Sequence, residues 1–135
     1  MTINLRFLRI AAISGLLAVA IGAFAAHGLK ALISPERLAI FKTGVQYHYY
    51  HTFALAITAI LGAHLPARFL KYAGWSFLIG ILLFSGSLYL LACRDVLGIE
   101  SWKFLGPLTP IGGVFFIIGW AMLFAATFSN RGETR

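Results

Sequence analysis

The residues best equipped for chemistry sit in one short run, Tyr47, His48, Tyr49, Tyr50 and His51, with a further histidine at His27. His48 and His51 are three apart and share one face of a helix. With His27 arriving from a preceding helix, three imidazoles could converge on Zn²⁺ or another transition metal. The same rings could hold a haem edge or hydrogen-bond a quinone headgroup. The structural alternative is heavier. Tyr and His have an apolar body and a polar tip, and they settle where a helix meets a membrane surface. A second polar patch, Ser85-Gly86-Ser87, lies inside an otherwise apolar run. It reads either as a polar site or as hydroxyls bonded to their own i−4 carbonyls beside a packing glycine.

The elements that position these groups follow from where charge is missing. Of 135 residues only 11 are Lys or Arg and 4 are Asp or Glu. Four uncharged runs separate them: 10–29, 43–67, 72–93 and 104–130. Each is at least as long as the roughly 20 residues a helix needs to cross a hydrocarbon core of about 30 Å. A composition 60% hydrophobic with a mean hydropathy of +0.87 is not that of a soluble domain, whose surface helices need a polar stripe. Runs such as 77–84 (FLIGILLF) do not alternate with the period of a transmembrane β-barrel. The chain therefore reads as one all-α domain, an integral membrane four-helix bundle with short loops. Its helices are expected at about 7–27, 46–64, 72–93 and 106–128. Ser34-Pro35 is an N-cap followed by a first-turn proline. It starts a short interfacial helix between helices 1 and 2, loosened at Gly44. Arg6, Arg9 and the Ala23-Phe24-Ala25 stretch imitate a secretory signal. The apolar stretch is too long for one and is read as a retained helix.

Small residues recur along the helices: Ser14, Ala18, Gly22 and Ala26 in the first, Gly74, Gly80 and Gly86 in the third, Gly112, Gly113 and Gly119 in the fourth. Such ladders let backbones approach closely within lipid. Pro107 and Pro110 suit a first helical turn. With four alternating helices, His27, His48, His51, Cys93, Arg94, Asp95 and Glu100 fall at one membrane face and His64 at the other. Lys and Arg number six at the N-terminus, second loop and C-terminus, against five in the first and third loops. The positive-inside rule then places both termini in the cytoplasm.

The net charge of +7 is dispersed at helix ends and gives no basic, aromatic-interleaved stripe for nucleic acid. One cysteine, Cys93, leaves no internal disulfide or CxxC motif. There is no HExxH, no phosphate-binding loop, no nucleophile elbow and no paired carboxylates. The expected class is a non-enzymatic protein working by association, as a homo-oligomer or a subunit of a larger membrane complex. The alternative is a carrier of a small apolar ligand, lipid or quinone, at a site formed by His27, Tyr47, His48, His51, Ser85 and Ser87. A metal or haem site at the same rim is the third reading.

Four stretches stand in a fixed order: Gly22-Ala23-Phe24-Ala25-Ala26-His27, Tyr47 to Thr52, Phe84-Ser85-Gly86-Ser87-Leu88-Tyr89, and Thr109-Pro110-Ile111-Gly112-Gly113 with Gly119-Trp120. Together they resemble the YgdD family of small bacterial inner-membrane proteins. This is domain-of-unknown-function family 423, related to mitochondrial transmembrane protein 256. The resemblance implies a four-helix protein of the bacterial inner membrane and supplies no reaction. Relatives often carry Gln where this chain has His48, whereas His27 and His51 match the pattern. The resemblance thus weakens a three-His metal site and leaves His27 with His51 as the functional pair.

Overall fold

The first two long helices begin where side-chain caps start them. In the computed structural model, which describes residues 2–129, Asn4 caps α1 (Leu5–Ala26) by accepting from the Phe7 amide. Ser34 caps α2 (Pro35–Leu61) by accepting from the Arg37 amide, with Pro35 in the first turn. After α3 (Ala67–Gly80) a π-turn (Ile81–Ser85) leads without a break into α4 (Gly86–Ala92). A single turn, α5 (Arg94–Leu97), ends at Gly98 with φ 66°, a left-handed stop that favours glycine. The last helix is α6 (Leu105–Phe128). The described residues are all-helical, with no strand.

Three stretches, Leu5–Ala31, Ala67–Ala92 and Leu105–Phe128, are long and apolar enough to cross a membrane. The helix α2 is long enough, at 27 residues, and its Gln-Tyr-His-Tyr-Tyr-His run lowers its hydropathy below theirs.

Two expectations change here. Only a 3₁₀ turn, Leu29–Ala31, separates α1 from α2, and the helix begun at Pro35 runs straight through Gly44 to Leu61. The expected interfacial helix is thus the first part of α2 itself. Gly44 is a contact point rather than a hinge. A Cβ there would come within 2.9 Å of the Tyr89 ring and 3.2 Å of Leu88. The start of α2 moves from the expected 46 to 35, which carries Glu36, Arg37 and Lys42 into the helix. Pro110, expected in a first turn, lies inside α6 because the helix starts at Leu105. The Gly106 carbonyl then lacks its i+4 amide.

Neighbouring helices run antiparallel. Along α1 and α2, the Asn4 amide donates to the Ala59 carbonyl (2.9 Å), Ser14 meets Thr52, and Gly22 faces Val45. Ala54 packs with Ala73 and Phe77, and at the far end Arg37 donates to the Leu91 carbonyl. Along α6, Gly119 faces the Phe77 ring and Gly112 meets the backbone of Phe84. Phe7 crosses to Gly74 and packs edge-on against Trp75. Most of the small residues read from sequence are therefore covered within the chain: Ser14 and Ala18 of α1 and Gly112 and Gly119 of α6 are buried, whereas Ala26 is exposed and a Cβ on Gly86 would meet nothing within 4 Å.

The closest approach is the most sensitive one. A Cβ on Gly112 would lie 2.4 Å from the Phe84 amide nitrogen, and backbone cannot step aside as a flexible side chain can. Gly112→Ala is expected to lower stability by about 2 kcal/mol or more. A Cβ on Gly106 meets nothing within 4 Å, so Gly106→Ala should leave stability unchanged or slightly raised. Reversible unfolding in mixed detergent micelles, followed by circular dichroism, checks both.

Candidate functional site

Two polar constellations occupy the middle of the molecule, and α2 contributes to both. The first bridges three helices. Ser14 of α1 lies 3.0 Å from His48 Nε2 and 2.6 Å from the Thr52 hydroxyl, and His48 Nδ1 lies 3.0 Å from the Tyr89 hydroxyl of α4. The chain Thr52–Ser14–His48–Tyr89 can be satisfied in either direction with a neutral imidazole. Protons run from Thr52 toward Tyr89 in one arrangement and from Tyr89 toward Thr52 in the other. His48 is 5% exposed, so these bonds have no water competing for them. This cluster ties α1, α2 and α4 together and leaves no room for a ligand on the imidazole.

The second constellation surrounds His51, also 5% exposed. Its Nδ1 lies 2.8 Å from the Tyr47 carbonyl, one turn earlier. A carbonyl can only accept, so Nδ1 carries the proton and Nε2 is left as an acceptor. The Trp120 indole N–H of α6 donates to that Nε2 at 3.2 Å. Phe116 stacks face to face on the imidazole, with ring centroids 3.4 Å apart and planes within 5°. Around them a groove of about 530 Å³ opens between α2 and α6. Tyr47, Phe84, Phe116 and Trp120 line it, with Gly113 keeping it wide. Tyr47 and Trp120 are 37% and 49% exposed, so the groove faces outward rather than into the core. Its volume falls within the usual 300–1,000 Å³ of small-molecule sites.

The π-turn helps to shape this wall. It brings Phe84 to the groove, with its ring 4.6 Å from Tyr47 and 5.4 Å from Phe116. Ser85, just behind, donates to the Gly44 carbonyl at 2.7 Å. Ser87 lies 2.6 Å from the Thr109 hydroxyl and donates to the Phe84 carbonyl. Neither serine bonds its own i−4 carbonyl; both hydroxyls engage a neighbouring helix, and neither lines the groove.

The expected site is therefore divided. Tyr47 and His51 line the groove, His48 belongs to the bridging cluster, and Ser85 and Ser87 hold helices together. His27 joins none of them. It is the exposed C-cap of α1, at the level of Leu38 and Phe41, which pack against Ala25 and Leu29. His51 stands some ten residues farther along α2, about 15 Å away at 1.5 Å per residue. The cause is the earlier start of α2, which moves His48 and His51 from a helix end to the middle. Among the described residues no three His, Cys, Asp or Glu side chains gather as metal ligands. Asp95 pairs chiefly with Arg37 (2.7 Å) rather than with Arg94 (3.7 Å). Sequence reading overlooked Phe116 and the link between Trp120 and His51. Trp120 itself was visible in the sequence, but its partner sits 69 positions away.

The family described as "Protein of unknown function (DUF423)" matches residues 21–113. The chain belongs to this family. It is 45% identical over 121 residues to the UPF0382 membrane protein YwdK of Bacillus subtilis, covering 89% of this chain and 94% of that protein. It is 41% identical over 126 residues to UPF0382 membrane proteins of Staphylococcus aureus and Haemophilus influenzae. Those alignments cover 93% of this chain in both cases, and 98% and 96% of the relatives. No solved structure matches the chain. This DUF423 chain is thus a membrane protein of a family whose function is unknown, and its relatives here are bacterial.

Removing either partner of His48 should expose the bridging cluster as a unit. Ser14→Ala and Tyr89→Phe are each expected to cost about 1 kcal/mol. The double variant should cost more than the sum, because each single variant still leaves the imidazole one partner. Strictly additive losses in a double-mutant cycle would show that the two bonds act independently.

Proposed function

We propose that this protein is a non-enzymatic carrier or binding protein for a small apolar molecule, which enters the groove between α2 and α6 sideways from the bilayer. The observation behind this reading is the groove itself: about 530 Å³, walled by aromatic rings, with a polar pair at its floor. Such sites are mainly apolar with a few placed polar groups. Lipid or quinone is the ligand class, and the contacting residues are Tyr47, His51, Phe84, Phe116 and Trp120. The associative reading, as homo-oligomer or accessory subunit, has less support, since most of the small residues that suggested it are covered inside the chain. A metal or haem reading at the histidine rim has less still, with His27 standing apart.

The setting we propose is a four-span protein of the bacterial inner membrane. Antiparallel contact along the whole of α1 supports α2 as the fourth span, because a helix beside a spanning helix lies at the same depth. An even number of spans puts both termini on one side, and the Lys and Arg counts favour the cytoplasm. Arg131 and Arg135, which enter those counts, lie outside the described residues.

Filling the groove tests the proposal directly. A Cβ on Gly113 would meet only the Phe84 ring, at 3.8 Å and 3.9 Å, so a larger side chain fits without moving backbone. Protein purified in mild detergent is extracted with organic solvent, and co-purifying molecules are identified by mass spectrometry. We expect a near-stoichiometric apolar compound on the wild type, at least about tenfold less on Gly113→Leu, and no loss on His27→Ala. A folded Gly113→Leu protein that keeps its ligand would falsify the groove reading.

A further inference from the structure

The floor of the groove is more selective than its walls. Every hydrogen-bonding position of His51 is assigned: Nδ1–H to the Tyr47 carbonyl at 2.8 Å, and Nε2 to the Trp120 indole N–H at 3.2 Å. The first bond lies within one helix and is shielded by the helix itself. The second crosses between α2 and α6, is the longer of the two, and involves an indole half exposed to the groove. It is the bond a ligand can open. Once opened, it leaves one donor, the Trp120 N–H, and one acceptor, His51 Nε2, facing each other across the floor.

That pair discriminates among ligands by what they leave unsatisfied. A hydrocarbon chain satisfies neither group. A ketone or quinone oxygen accepts from Trp120 but gives Nε2 nothing. A carboxylate or phosphate brings a charge into a site walled by rings, where no cation lines the groove. A neutral hydroxyl meets both demands, since its oxygen accepts from Trp120 and its hydrogen is donated to Nε2. Phe116, stacked on the imidazole, and Tyr47 offer flat faces beside that point. Resting on the groove reading above and narrowing its lipid-or-quinone class, we infer that the ligand is a neutral apolar molecule ending in a hydroxyl, a phenol (a reduced quinone included) or long-chain alcohol, whose O–H inserts between Trp120 and His51.

The test uses full-length protein in nanodiscs with Trp75→Phe and Trp102→Phe, which leaves Trp120 as the sole indole of the three. The probes are ortho-brominated para-nonylphenol and its methyl ether, which have nearly the same shape and differ in the donor hydrogen; bromine quenches indole fluorescence at contact. We expect saturable quenching by the phenol with an affinity about ten- to a hundredfold above that of the ether. His51→Phe should erase that ratio, and His51→Gln, which keeps an acceptor, should retain a preference for the phenol. Equal saturable quenching by phenol and ether overturns the hydroxyl inference while leaving the groove reading standing. No saturable quenching by either sinks both. The ratio in the protein with His51 intact decides the matter even if a His51 variant does not fold.

Discussion

A buried polar group in apolar surroundings must find its hydrogen-bond partner within the protein, and the arrangement of this chain follows from that constraint. An unpaired amide or hydroxyl in such a medium costs several kcal/mol. The helix α2 brings two histidines, two threonines and a glycine carbonyl inside. Among the described residues no buried side-chain nitrogen or oxygen is without a partner. Ser14 and Tyr89 satisfy His48, Tyr47 and Trp120 satisfy His51, Ala54 satisfies Thr58, and Ser85 satisfies the extra capacity of the Gly44 carbonyl. The least apolar of the long helices is thereby enclosed by its neighbours along much of its length.

Partners can only be reached if the helices come close, and the small residues permit this. Gly112 admits the backbone of Phe84, Gly74 and Gly119 admit the rings of Phe7 and Phe77, and Gly44 admits Tyr89. The last contact also holds the phenol within reach of His48. Packing and hydrogen bonding are therefore coupled, because the glycine that lets a ring approach also sets where that ring's hydroxyl falls. Association with other chains is another use for such faces, but here most of their small residues are already covered.

The groove departs from this close packing. Between α2 and α6 contact is made by long aromatic side chains rather than by backbone approach, and Gly113 adds no side chain to fill the gap. The result is a wide, ring-walled recess open to the outside, with a rigid imidazole at its base. Its orientation is set twice, by the Tyr47 carbonyl and by Phe116 stacking. The π-turn adds one residue's worth of rotation to the helical rod it interrupts, and Phe84 joins the same wall. Such turns often mark functional positions in helices.

Much was legible from sequence because it depends on local rules. Uncharged runs marked four helices of membrane-crossing length, three of which prove both long and apolar enough, Ser34 obeyed capping chemistry, and four ordered motifs pointed to the family. The histidine-and-tyrosine run stood out in the sequence as polar and unusual. Its depth was not readable, because an apolar-length criterion started α2 at 46, whereas the cap at Ser34 and the tolerance of a helix for Gly44 started it at 35. That shift of about three turns separated His27 from His51 and moved the site inward. Partners such as Ser14 with His48, or Trp120 with His51, lie 34 and 69 residues apart. Only tertiary packing decides such pairings, since they depend on the register between helices, and register is set by which glycine receives which ring.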